Sequence, residues 1–142
     1  MKREGIRVLF VCTGNSCRSQ IAEAWARYLG RGRVQAFSAG TTPRPIHPLA
    51  IRVMADNNVD ISGQQSKSLD AYLGEPFDYV ITVCDRARQA CPTWPEPHER
   101  IDWSFDDPAE ATGTEEQRLL VFRRVALEIK RRIDLFLLSS LK

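Results

Sequence analysis

The chain has 142 residues, 43% of them hydrophobic and 27% charged, with a formal net charge of +2. That is enough chain to bury a sizeable core without disulfide or metal staples, so one domain over residues 1–142 is expected. The charge is too small for a nucleic-acid binder, no apolar run approaches a membrane span, and Met1-Lys2-Arg3-Glu4-Gly5 opens no signal peptide, so the expectation is a cytoplasmic monomer with reduced thiols.

Strand and helix patterns alternate. Ile6 to Val11 reads as a first strand, and Arg18 to Leu29 as a helix with Ile21, Ala22, Trp25 and Leu29 on one side and Gly30 as its stop. Arg33 to Ser38 is a second strand. The turn region that follows holds Pro43, Pro45 and Pro48, and Pro48 suits the first position of a helix through Ile51, Met54 and Ala55. Asp60 to Asp70 is polar and loop-like, with a short helical turn running to Leu73. Phe77 to Cys84 is the third strand, Arg86 to Ala90 a helical piece, and Pro92, Pro95 and Pro97 force extended chain. Arg100 to Trp103 makes the last strand. A long terminal helix follows, with Phe122, Val125, Ala126, Ile129, Ile133, Phe136 and Leu137 as its apolar stripe. Thr114 and Gln117 fit a capping box at its start. The basic residues Arg123, Arg124, Lys130, Arg131 and Arg132 read as its solvated face. This order of elements belongs to an α/β class with a four-stranded parallel sheet covered on both faces.

Chemistry concentrates between the first strand and first helix. Cys12 and Arg18 frame Thr13, Gly14, Asn15, Ser16 and Cys17 as Cys-x5-Arg. A loop in this position turns successive backbone N–H groups inward as an anion nest, and the following helix points its positive end at the same spot. Arg18 adds a planar fork of donors for two oxyanion oxygens. That field also favours a thiolate, so Cys12 is expected to be an ionised nucleophile near neutral pH, with the Ser19 hydroxyl donating to it. Gly14 and Asn15 suit the unusual backbone angles a tight nest requires. Cys17, offset from the nucleophile, is expected to pack, the alternative being a protective disulfide with Cys12.

Displacing an oxygen from phosphorus or arsenic needs a proton on the leaving group. Asp107, held before Pro108, is the candidate acid, with Asp106 as the fallback. Cys84 closes the third strand and Cys91 stands seven residues on. Seven residues of helix span about 10.5 Å, and a disulfide needs Cα atoms within about 4.4–6.8 Å. If the two pair, the intervening helix must unwind, which makes the segment a redox switch. No metal is expected, since the cysteines with His47 and His98 lack the paired spacing of a zinc site. His47 is read as a helix cap, and His98 carries no signal.

The segment Cys12 to Ser19, continued by Gln20-Ile21-Ala22-Glu23-Ala24-Trp25, resembles the low-molecular-weight tyrosine phosphatase superfamily. Ser38-Ala39-Gly40, His47-Pro48, Asp60-Ile61-Ser62 and Asp107-Pro108 extend the resemblance over nearly the whole chain. Within it, Thr82-Val83-Cys84, Cys91-Pro92 and Trp103 to Ala109 are similar to the thioredoxin-coupled arsenate reductases. Ala109 and Glu110 stand where the phosphatases typically carry tyrosines.

The resemblance implies a single Rossmann-like domain and an arsenate reductase. Cys12 attacks arsenate held by the loop and Arg18, a transient Cys12–Cys84 disulfide releases arsenite, Cys91 moves the disulfide to Cys84–Cys91, and external thioredoxin reduces it. No bound cofactor is implied, and a weak phosphatase side activity is. The alternative is a tyrosine phosphatase whose extra cysteines are protective, and glutaredoxin or mycothiol are alternative reductants. Some members hold potassium near the loop. Asn15, Glu23 and Ser38 match its contributors, but Gln65 and Lys67 replace two others, so no specific potassium dependence is expected.

Overall fold

Val8, Leu9, Phe10 and Val11 point alternately to opposite sides of one strand, yet each is fully buried. Only a strand covered on both faces allows this. The computed structural model describes residues 5–84 and 99–141. Residues Arg86 to Ala90, expected to be helical, Cys91, the three following prolines and His98 lie outside the described residues.

The elements in order are β1 (Ile6–Cys12), α1 (Arg18–Gly30), β2 (Val34–Gly40), α2 (Pro48–Asp56), a 3-10 turn (Leu69–Tyr72), β3 (Tyr79–Thr82), β4 (Glu99–Asp102), a second 3-10 turn (Pro108–Glu110) and α3 (Glu115–Ser140). The four strands pair in parallel in the order β2-β1-β3-β4. The order reverses at β1, with β2 on one side and β3 on the other. Beyond the carboxyl ends of those strands lies the crevice where open parallel sheets take their ligands.

One face of the sheet packs on α3. Phe10 meets Trp103 at 6.3 Å, and Phe136 of α3 meets Trp103 at 5.9 Å and Tyr79 at 4.9 Å between ring centroids. Helix α1 joins this layer, since the Trp25 indole N–H donates to the Ala126 carbonyl of α3 at 3.1 Å. On the other face, the Phe37, Tyr72 and Phe77 rings pack edge to face, and the Arg7 guanidinium lies 4.7 Å over Phe37.

The whole apolar stripe expected of α3 is buried, joined by Leu119. Its start is a capping box: Thr114 Oγ1 accepts from the Gln117 amide at 3.1 Å, and Gln117 Oε1 accepts from the Thr114 amide at 2.9 Å. Pro48 opens α2 as expected, with His47 as its cap.

Two boundaries differ for physical reasons. Gly30 does not stop α1; Arg31 takes the left-handed cap conformation at φ 47°, while a Cβ on Gly30 would lie 2.5 Å from the Val34 side chain. Gly30 therefore provides close helix–strand approach. β3 is shorter than expected, because its pairing with β1 spans only Tyr79 to Thr82 and Phe77 has left the sheet for the aromatic cluster.

Replacing Thr114 with alanine removes one arm of the capping box. A loss of about 1 kcal/mol is expected, read as a lower urea midpoint with an unchanged slope. An unchanged midpoint would mean that packing alone sets where α3 begins.

Candidate active site

Five residues, Thr13 to Cys17, carry the chain from the end of β1 to the start of α1. So tight a reversal needs a left-handed residue, and Asn15 takes it at φ 48°. Gly14, expected to share that conformation, does not adopt it; a Cβ there would lie 3.3 Å from Ser16 Oγ, so its contribution is space.

Asn15 is fully buried, and every polar group it carries has a partner. Its amide donates to Cys12 Sγ at 3.2 Å, and its Nδ2 donates to Ser19 Oγ at 2.8 Å. Its Oδ1 accepts from Gln20 Nε2 at 3.0 Å and from the Lys67 amide at 2.8 Å. Gln20, also fully buried, donates to the Asn15 carbonyl at 3.0 Å as well. Sequence reasoning passed over Gln20, although an amide side chain on the buried first turn of a helix is a signal, since it must be satisfied there.

The chain after β2 braces the loop from outside. Thr42, Arg44 and His47 donate their amides to the carbonyls of Thr13, Gly14 and Ser16 at 2.8, 2.8 and 3.0 Å. Gly40 passes so close that a Cβ would sit 2.6 Å from the Thr13 carbonyl oxygen.

Cys12, 2% exposed, lies 2.8 Å from Ser19 Oγ. Burial pushes its thiol up from the ordinary value, opposed by the Ser19 hydroxyl, the Ser19 and Asn15 amides and the Arg18 charge. The expected preference for thiolate is thus corrected: the anion-stabilising groups converge as expected, but the cost of burying charge outweighs them. Cys17 packs at the base of α1, and burial pushes it up to about 12. Among the described residues, its sulfur accepts from the Ser16 hydroxyl at 3.7 Å.

Arg18 is fixed from the far wall, where its guanidinium donates to the Phe105 carbonyl at 3.0 Å and stands 3.6 Å from Asp107 Oδ2. The other oxygen of Asp107 accepts from the Ala109 amide at 3.0 Å and caps the short turn. Asp106 pairs with Arg124 at 3.1 Å, so Asp107 is the carboxylate that pairs with Arg18. Cys84 Sγ lies 3.5 Å from Thr13 Oγ1. Cys12, Cys17 and Cys84 are free thiols, and all three line one cleft of about 500 Å³. The sheet thus brings together Cys12, Arg18, Cys84 and Asp107; Cys91 lies outside the described residues.

The residues matching the potassium contributors have protein partners. The two oxygens of Glu23 accept from the Ser38 hydroxyl and the Arg27 guanidinium, each at 2.6 Å. The Gln65 carbonyl accepts from the Lys67 ammonium at 2.9 Å. Two protein cations already serve these acceptors. No group of three or more metal-ligating side chains is found among the described residues.

A thiol at a strand end, inside an amide-lined turn, with an arginine fork and a facing carboxylate, defines a cysteine-nucleophile oxyanion enzyme on a parallel α/β sheet. The chain belongs to the low molecular weight phosphotyrosine protein phosphatase family, whose profile matches residues 7–142. An arsenate reductase of Halalkalibacterium halodurans is 45% identical over 130 residues, covering 91% of this chain and 93% of that protein. The solved structure of an arsenate reductase in the phosphate binding state superposes with a TM-score of 0.77 at 34% identity, covering 95% of this chain and 98% of that one. A thioredoxin-dependent arsenate reductase of Corynebacterium glutamicum gives 0.65 at 30% identity, covering 95% of this chain and 65% of that one.

Ser19→Ala removes a hydrogen bond that lowers the Cys12 pKa, so the rise of Cys12 alkylation rate with pH shifts to more alkaline pH. Iodoacetamide trapping with peptide mass spectrometry measures it, and Cys17 should stay unmodified at pH 8. An unshifted profile would show that Ser19 does not tune the thiol.

Proposed function

We propose that the chain is an arsenate reductase working through a three-cysteine relay, with thioredoxin as the external reductant. The observation that carries the reading is the opening of Cys12 and Cys84 onto one cleft, with Thr13 of the oxyanion loop touching Cys84. A phosphatase needs the first thiol only. Relatives that match over nearly their whole length are arsenate reductases, which favours the same reading.

The loop amides and Arg18 hold the oxyanion. The Cys12 thiolate attacks arsenic, forming a sulfur–arsenic bond, and one oxygen leaves as water with a proton delivered by Asp107. The Cys84 thiolate then attacks the Cys12 sulfur. A sulfur–sulfur bond forms, the sulfur–arsenic bond breaks, and its electron pair stays on arsenic, which departs as arsenite. Two electrons have moved from two thiols to arsenic, so no bound cofactor is required. Cys91 attacks Cys84, releasing the Cys12 thiolate and leaving a Cys84–Cys91 disulfide, which a thioredoxin dithiol reduces. The scheme belongs in the cytosol, where such dithiols are kept reduced. No helix among the described residues is long and apolar enough to cross a membrane. Because the first attack is the same on phosphorus, slow phosphatase activity accompanies the reductase.

Arsenate turnover with thioredoxin, thioredoxin reductase and NADPH tests the relay. Cys12→Ser should abolish turnover and p-nitrophenyl phosphate hydrolysis together. Cys84→Ser and Cys91→Ser should abolish arsenate turnover and keep the hydrolysis. Multiple turnovers by Cys91→Ser with thioredoxin would overturn the relay.

We also propose that Arg27 and Lys67 replace the potassium that some family members hold. Turnover should be equal in potassium and sodium chloride at the same ionic strength, and a several-fold advantage for potassium would count against the replacement.

A further inference from the structure

The cleft holds a second arginine that the relay does not use. Arg44 lines it together with Cys12, Gly14 and Arg18. Its backbone is fixed by Pro43 and Pro45 on either side and by its amide donating to the Gly14 carbonyl at 2.8 Å. Its stem crosses the loop over Gly14: a Cβ on Gly14 would lie 3.9 Å from Arg44 Cδ. The guanidinium is therefore carried at the rim of the loop, with its apolar stem on the loop's backbone.

Its charge is uncommitted. Three carboxylates line the cleft: Asp107 is taken by Arg18 at 3.6 Å, Asp106 by Arg124 at 3.1 Å, and Glu110 stands on the second 3-10 turn. Among the described residues Arg44 makes no ion pair. An arginine held in place beside an anion nest, exposed and without a carboxylate partner, is arranged to meet a ligand's charge.

We propose that Arg44 is an oxyanion-recruiting residue: it captures the arsenate or phosphate dianion at the cleft mouth and sets affinity, while Arg18 and the loop amides serve the reaction. The inference rests on the oxyanion-enzyme reading of this cleft. A rim charge of this kind acts on capture and its salt dependence more than on the chemical step. Arg44→Gln should lower kcat/KM for arsenate about three- to tenfold at low ionic strength and leave kcat unchanged. The difference should shrink in 0.5 M sodium chloride, and Arg44→Lys should recover most of the loss.

A binding measurement separates this inference from the reductase reading. Inorganic phosphate, titrated as a protectant of Cys12 against iodoacetamide, reports occupancy of the loop without reduction of the anion. The wild type should be protected, and Arg44→Gln should need about three- to tenfold more anion for the same protection. Equal protection curves at low salt would overturn the role of Arg44 and leave the reductase reading standing. A wild type that phosphate does not protect would overturn both. A fall in kcat with unchanged KM would also overturn the proposal, because it would place Arg44 in the chemical step.

Discussion

The site depends on one constraint, the left-handed backbone of Asn15 inside the core. Such a conformation costs about 1 kcal/mol or more for a residue with a side chain, and it persists only where its surroundings over-determine it. Here they do. Ser19, Gln20 and the Lys67 amide bind the Asn15 side chain from three directions, and Gln20 also holds the Asn15 carbonyl. With the turn held, the Asn15 amide faces the Cys12 sulfur. Loosening the Asn15 network would release the nest, the sulfur's donors and the start of α1 together.

Cys12 and Cys17 lie in the same loop and are almost equally buried, at 2% and 3% exposure. Burial therefore does not separate the nucleophile from the inert thiol. Geometry does: the Ser19 hydroxyl and two backbone amides converge on Cys12, while the Arg18 charge lowers both thiols and the Asp107 carboxylate raises Cys17. Removing charge from water is costly for both sulfurs, and more donors oppose that cost at Cys12 than at Cys17, without cancelling it.

Three neighbouring strands deliver the remaining chemistry. β1 ends on Cys12, β3 leads two residues on to Cys84, and β4 leads into the 103–107 strap. The strap is stitched to the end of β3 by the amides of Trp103 and Phe105, which donate to Thr82 and Val83 at 2.8 and 3.3 Å. That stitching sets the Phe105 carbonyl and Asp107 opposite Arg18. Parallel pairing thus places Cys12, Cys84 and Asp107 within one cleft, though they are far apart in the chain.

Elements with their own local reasons were legible in the sequence: the period of α3, its capping box, Pro48 after His47, and the apolar runs of β1 and β3. The Cys-x5-Arg spacing and the paired Cys84 and Cys91 pointed to thiol chemistry on an oxyanion, because residue type and separation alone limit what such groups do. Three things were decided only in the folded chain. Asn15, not Gly14, takes the left-handed turn because Gln20 and Lys67 hold it there. Asp107 and not Asp106 pairs with Arg18, because Arg124 holds the Asp106 carboxylate. Burial outweighs the donors around Cys12, an outcome set by how completely the strands and α1 enclose it. Local patterns report what a segment prefers. Desolvation and pairing depend on neighbours distant in sequence, which only tertiary packing supplies.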